Sequence, residues 1–215
     1  MSKADNHDLT KERLLDEAET LFAQKGYDAV SVREITNAAR CNLAAVNYHF
    51  GNKKNLYLEV FRARWIPRSR RLQESFKKSL GGAGAASPRA VARALAEAFL
   101  VGPMSDEERF RHHQLMVREL GQSTEALELV ADDVMRPFMK RLADMLHPAM
   151  PEGLGKERVL LHILSMFAMV LYFNFARGAV TRITGREYTK AFKARLVEHI
   201  TEFSLTGLGV GEDLH

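Results

Sequence analysis

The sequence predicts an all-α protein of about nine helices, and three observations carry that prediction. Apolar residues recur three and four apart along nearly the whole chain, no stretch sustains an alternation of period two, and helix-start and helix-stop residues fall at the ends of the periodic segments. The 215 residues, 46% hydrophobic and 27% charged, suffice for one or two domains with a real core. One cysteine excludes an internal disulfide framework and suits a reducing compartment. The polar start MSKADNHDLTKER lacks the apolar run of a signal peptide, so a cytoplasmic protein is expected.

The elements follow in order. A first helix is expected from about Thr10, with Leu14, Ala18, Leu21 and Phe22 as one stripe and Gly26 as its stop. "SVRE" at 31–34 is a capping box, in which Ser31 and Glu34 can satisfy each other's backbone amides, and it opens a two-turn helix carrying Ile35, Ala38 and Ala39. "RCN" breaks the pattern. Asn42 suits an N-cap for a second short helix from Leu43 to about Phe50, closed by Gly51. Asn52 then caps a longer helix along Phe61, Trp65, Leu72, Phe76 and Leu80, which Pro67 should kink because it removes a donor and crowds the preceding turn. "GGAGAASP" reads as a linker. Further helices are expected at about 88–101, 105–121, 124–147, 156–178 and 188–205, entered at Ser87–Pro88 and at "SDEE", where Ser105 and Glu108 can form a second box.

Two short helices joined by a tight turn, the second followed by lysines, form a helix-turn-helix pattern. Val46 and Phe50, with Cys41 ahead of them, can face Ile35, Ala38 and Phe22; Ala44, Ala45, Asn47 and Tyr48 then belong to the outward side, and Leu43, where this helix starts, joins the DNA-binding candidates. Small residues let a helix sit deep in a major groove and touch thymine methyls. Asn47 can pair bidentately with adenine. Tyr48, His49 and Lys53 would reach phosphates at the groove's edge, the amides of the helix capped by Asn52 offer a further anion site, and Ser31, Arg33 and Asn42 are further DNA-binding candidates. Bulk charge does not carry this reading. The formal charge is +4, yet residues 1–53 hold seven Lys/Arg against eight Asp/Glu, while residues 54–78 hold eight against two.

Residues 10–61, with the LF…KGY end of the first helix, the SVREIT box and the YHFGNKK exit, resemble the DNA-binding domain of TetR/AcrR family transcriptional regulators, and within it PsrA-like members concerned with fatty-acid metabolism. "VRELGQSTEALELVADDVMRPFMKRL" and "MVLYFNFARGAV" resemble the C-terminal domain of a CecR-like branch. Many members carry Tyr where this chain has Asn47, so that contact is not carried over. The resemblance implies a helix-turn-helix domain at 1–53 and an effector-binding and dimerisation domain at 54–215. It implies a homodimer on a palindromic operator of double-stranded DNA, released by a small hydrophobic effector, with a fatty acid or acyl-CoA suggested by the fatty-acid-responsive members.

Candidates for that effector are Trp65, Phe99, Met116, Met135, Phe138, Met139, Met166 and Phe173, since pockets are mostly apolar and Met adapts to varied ligands, although core packing explains most of them. "RARWIPRSRR" is by default a solvated face; Arg64, Arg68 or Arg71 is otherwise placed to meet an acidic head. Residues 159–176 are apolar nearly all round, but His162, Ser165 and Asn174 interrupt them and they fall short of a membrane crossing, so a buried helix is expected. With 188–205 it would form the dimer interface, through Met169, Leu171, Leu196 and Ile200. Cys41 reads as a core position rather than a redox switch. His112 and His113, about 100° apart on a helix, do not make a metal pair. No P-loop, metal signature, nucleophile elbow or dinucleotide fingerprint occurs, so neither an enzyme nor a cofactor is expected. The alternative to a ligand-responsive regulator is an architectural or interaction protein of the same fold without an effector.

Overall fold

The computed structural model describes residues 3–81, 87–122, 124–150 and 155–208, and the side chains from His7 onward. Within these the chain is helical, with no strand among the described residues. Ten helices run α1 Lys3–Lys25, α2 Val32–Ala38, α3 Ala44–Phe50, α4 (Lys53–Val60, a π turn Phe61–Trp65, then Ile66–Ser79), α5 Pro88–Leu100, α6 Asp106–Gln122, α7 (Glu125–Val130, a π turn Ala131–Met135, then Arg136–Leu146), α8 Lys156–Phe175, α9 Arg177–Thr184 and α10 Lys190–Leu208. A 3-10 turn, His147–Ala149, closes α7.

Two compact units form: Met1–Arg68 with Asp106–Asp133, and Ser69–Ser105 with Val134–His215. Neither boundary falls at residue 53. Helices α6 and the start of α7 belong to the same unit as the three N-terminal helices.

In the first unit, Leu14, Leu15, Ala18 and Phe22 of α1 are fully buried, and Gly26, at φ +85°, takes the left-handed conformation that lets the chain leave the helix. Arg118 of α6 donates to the Ala23 carbonyl at 2.9 Å and to that of Gln24, so a cation satisfies the C-terminal carbonyls of α1. α1 begins seven residues before the start expected at about Thr10, because the mostly polar run from Lys3 to Leu9 continues the helix without a stop signal.

The box at Ser31 forms: Glu34 N–H donates to Ser31 Oγ at 3.1 Å. The Glu34 carboxyl is held below its ordinary value first by a hydrogen bond from Lys25, with the Ser31 amide as a smaller cause. α2 ends in a Schellman turn, with Cys41 N–H to Thr36 O at 3.0 Å and Arg40 N–H to Asn37 O at 3.1 Å. Arg40 therefore sits at φ +51°, a strain of about 1–2 kcal/mol for a side chain with Cβ. Asn42 is not the N-cap expected; Leu43 holds that position with no side-chain bond, because the turn delays the helix by a residue. Asn52 does cap α4, accepting from Asn55 N–H at 2.8 Å. Ala39 rather than Ala38 faces inward with Ile35, Val46 and Phe50.

Ahead of Pro67, where the sequence suggested a kink, α4 carries a π turn. Ile66 N–H bonds back to Phe61 O, one residue farther than in an α-helix, just ahead of the proline that cannot donate. Pro137 follows a second π turn in the same register.

The second unit packs two apolar clusters. One joins Phe76 to α5, α7 and α8 through Leu95, Phe138, Leu142, Ile163 and Met166. The other joins α5, α8, α9 and α10 through Leu100, Val170, Val180, Leu196 and Ile200. Arg93 ties α5 to Glu198 of α10 at 2.7 Å and also pairs with Glu97. α8 is buried along one stripe only, Val159, Ile163, Met166, Val170 and Asn174; Leu160, Leu161, Leu164, Tyr172 and Phe175 stay exposed. By length and composition it could cross a membrane. It stops at Phe175, where Ala176 leaves helical geometry, and a separate α9 follows that the expected 156–178 helix ran into. Most of the "GGAGAASP" linker lies outside the described residues.

Candidate nucleic-acid interface

The register of α3 sorts its side chains, with Ala45 and His49 half-buried between the two sides. Val46 and Phe50 turn into the core, Cys41 is half-buried beside them, and the outward side carries Leu43, Ala44, Asn47 and Tyr48, the last 74% exposed. Small side chains at Ala44 and Ala45 leave the backbone approachable, while Asn47 and Tyr48 project one residue apart. Asn42, Ser31 and Arg33 are also exposed on the same helix-turn-helix unit. The Ser31 oxygen is occupied as a cap, which leaves its hydroxyl proton to donate outward.

The two lysines after Gly51 have different surroundings. Lys53 places its ammonium 4.3 Å from the centre of the Tyr27 ring, a cation–π contact that holds the charge at the head of α4. Lys54 is bonded to Glu125, so its charge is matched within the unit. Two residues that the sequence reading missed also stand here: His7 packs 4.4 Å from His49, ring to ring, and Lys11 lies nearby. The missing signal was the helical continuity of "HDLTK", which bears no apolar stripe. Burial pushes the Cys41 thiol up, against the smaller effect of Arg13, and its Sγ meets Thr36 O at 3.7 Å. A thiol held protonated is a poor nucleophile.

The apolar candidates for an effector divide between the two units. Trp65 is buried in the first unit, donating Nε1–H to His112 O at 3.0 Å and stacked on the His112 ring at 4.5 Å; Met116 is buried in the same unit. Phe138 and Met166, with Phe99 and Met139 beside them, belong to one cluster of the second unit, Phe173 to the other, and Met135 is half-buried on the π turn of α7. Arg68, expected as part of a solvated face or as partner of an acidic head, is buried and held by Glu19 and by Glu108, the latter at 3.4 Å. Arg64 pairs with Glu12 at 2.6 Å and Asp16 at 2.9 Å. These arginines neutralise acidic groups of α1 and α6.

A cleft of about 290 Å³ in the second unit is lined by Ser75, Arg93, Glu97, Gly102, Ala194 and Val197, and another of about 500 Å³ by Lys140, Asp144, His147 and Lys156; none of the eight apolar candidates lines either. A smaller one, about 170 Å³, lies by Tyr27, Lys54, Tyr57 and Glu125. Leu196 and Ile200, expected at a subunit contact, are buried inside the protomer, and Met169 and Leu171 are half-buried. Among the described residues no group of three His, Cys, Asp or Glu is placed to hold a metal.

A helix-turn-helix unit with an exposed recognition face, joined to a helical second unit, defines a DNA-binding regulator. Residues 14–60 match the bacterial regulatory proteins of the tetR family, and residues 88–208 match the C-terminal domain of the HTH-type transcriptional dual regulator CecR. The chain belongs to the TetR family of transcriptional regulators, in the group with a CecR-type C-terminal domain. It is 26% identical to CecR of Shigella flexneri over 183 residues, covering 81% of this chain and 80% of that protein. Its similarity to IcaR of Staphylococcus aureus, a negative regulator of a biofilm operon, is 38% over 47 residues, 22% of this chain and 25% of IcaR. The fold is shared with a HlyIIR mutant protein, at a TM-score of 0.65 and 21% identity, covering 97% of this chain and all of that one.

Proposed function

We propose that this protein is a cytoplasmic, homodimeric repressor that holds a palindromic operator with two copies of α3 and releases it on binding a small hydrophobic effector. The observation that carries the reading is the α3 face, where Ala44, Ala45, Asn47 and Tyr48 are presented while Val46 and Phe50 anchor the helix. IcaR, whose likeness lies in this head, is a negative regulator, which supports repression. The exposed apolar side of α8, with Phe203 of α10, supports a subunit contact, since a lone protein rarely exposes such a surface to water.

For the effector, fatty acids and acyl-CoA esters are the first chemistry to test. Because Arg64 and Arg68 already pair with carboxylates, an acidic head would have to be met elsewhere. The test is selection of duplexes from a random pool by the purified protein, then release and thermal shift with fatty acids, acyl-CoA esters and neutral or cationic apolar compounds. The expected result is a palindrome with half-site centres about 34–36 Å apart, or a multiple, whose binding weakens with salt and with one of these ligand classes. Recovery of a palindrome that no apolar compound releases would favour an architectural role; recovery of no duplex would sink the DNA-binding reading.

A further inference from the structure

The first turns of α1 bring His7 to the C-terminal end of α3. The His7 ring lies 4.4 Å from His49 and, edge-on, 5.4 Å from Tyr48, and Tyr48 and His49 are themselves 5.1 Å apart. Three rings from two helices thus close a triangle beside the outward face of α3. α1 contributes the charged groups around it: Asp8, whose carboxylate is 3.5 Å from His7 Nδ1, and Lys11, whose ammonium is 3.8 Å from Glu59 of α4. α3 adds only the Tyr48 phenol.

His49 Nδ1 is buried with no hydrogen-bond partner among the described residues. A second proton on that ring would create a buried donor without an acceptor, so the free protein disfavours the imidazolium. Burial holds His49 below its ordinary value, His7 and then Lys11 add repulsion, and Asp8 opposes them. A phosphate beside this ring would supply the missing negative charge.

We propose that His7 is a positioning residue of the DNA interface, holding Tyr48 and His49, and that this ring cluster makes operator affinity depend on pH. The proposal rests on the DNA-binding reading above. In the complex a phosphate favours the His49 imidazolium that the free protein resists, so binding takes up a proton. Affinity therefore rises as pH falls through the higher, bound-state value and levels off below the lower, free-state one.

The experiment measures fluorescence anisotropy with the duplex recovered by selection, at fixed ionic strength, for wild type, His7→Ala, His7→Phe and His49→Gln. Wild type should bind several-fold tighter at about pH 6 than at about pH 8, the span over which a histidine near its reference value titrates. His49→Gln should bind with little pH dependence. His7→Ala should be weaker at every pH, and His7→Phe, which restores a ring, should recover the affinity at high pH. As a readout independent of DNA, the His49 imidazole in free His7→Phe should titrate at higher pH than in wild type by NMR. A flat wild-type profile, a His7→Ala protein equal to wild type, or an unmoved His49 titration would each overturn the proposal. Failure of the parent reading looks different: no duplex is bound at any pH, while the NMR comparison still decides whether the two rings are coupled.

Discussion

Asn47 and Lys53 lie six residues apart at the exit of one motif, and their surroundings assign them different work. Asn47 is exposed on α3 and its side-chain amide has no hydrogen-bond partner among the described residues, so a base edge can use it. Lys53 is anchored over Tyr27, which fixes a charge in place but offers no fork for reading a base. We expect Asn47→Ala to relax base preference at one position per half-site, at about 1–3 kcal/mol on the preferred duplex. Lys53→Ala should weaken all sequences alike and lower the salt slope by about one. Parallel selections and salt titrations check both, and a changed consensus for Lys53→Ala with an unchanged one for Asn47→Ala would reverse the roles.

Helix α4 is where the element scale departs most from its sequence. A basic run of this kind normally faces water, yet Arg68 is buried between Glu19 of α1 and Glu108 of α6, and Arg111 comes within 3.9 Å of the same Glu19. In the same unit, the fully buried Glu119 carboxylate accepts from Tyr57 of α4 and from Thr124 Oγ1 at 2.7 Å; burial and that carboxylate push the Tyr57 phenol well up. The joint between α4 and its neighbours is thus ionic and hydrogen-bonded in part. Such a joint resists losing one partner more than losing both. Arg68→Met should cost about 3–5 kcal/mol of stability by leaving Glu19 buried without its main counter-charge, and adding Glu19→Leu should restore most of it. Urea denaturation of the single and double variants tests this; equal stability of Arg68→Met and wild type would mean the pair is dispensable.

At the scale of the whole molecule the question is what covers α8. Leu161 is 56% exposed and Phe203 60%, whereas Leu196 and Ile200 belong to the protomer's own core. The two sets separate folding from assembly. Leu164→Glu with Phe203→Glu should leave helicity and melting of the single chain nearly unchanged, since both sites are open to water in it. The same pair should place unpaired charges in a subunit contact and abolish the dimer by sedimentation, with palindrome binding lost together. Leu196→Asp, by contrast, should unfold the second unit, at several kcal/mol for a buried charge. A dimer that survives both surface charges would move the interface elsewhere.

What the sequence determined alone is what short-range physics controls. Ser31 and Asn52 cap their helices because a hydroxyl or amide oxygen needs only an amide three residues on, and Gly26 and Gly51 stop theirs because only glycine takes a positive φ at no cost. The inward register of Val46 and Phe50, and with it the exposed face of α3, follows from the helix period. Tertiary structure decided the rest, wherever a side chain's role depends on partners far away in the chain. The same stripe logic that found α3 could not see that Arg68 meets Glu19, forty-nine positions before it, or that Glu119 meets Tyr57, sixty-two before it. Nor could it start α1 at Lys3, since a polar helical run carries no periodic signal, and so His7 was out of reach. For α8 the composition fixed an apolar helix, but which half of it faces the protomer was settled only when α5, α7 and α10 packed along one side, because apolar residues all round leave the register free.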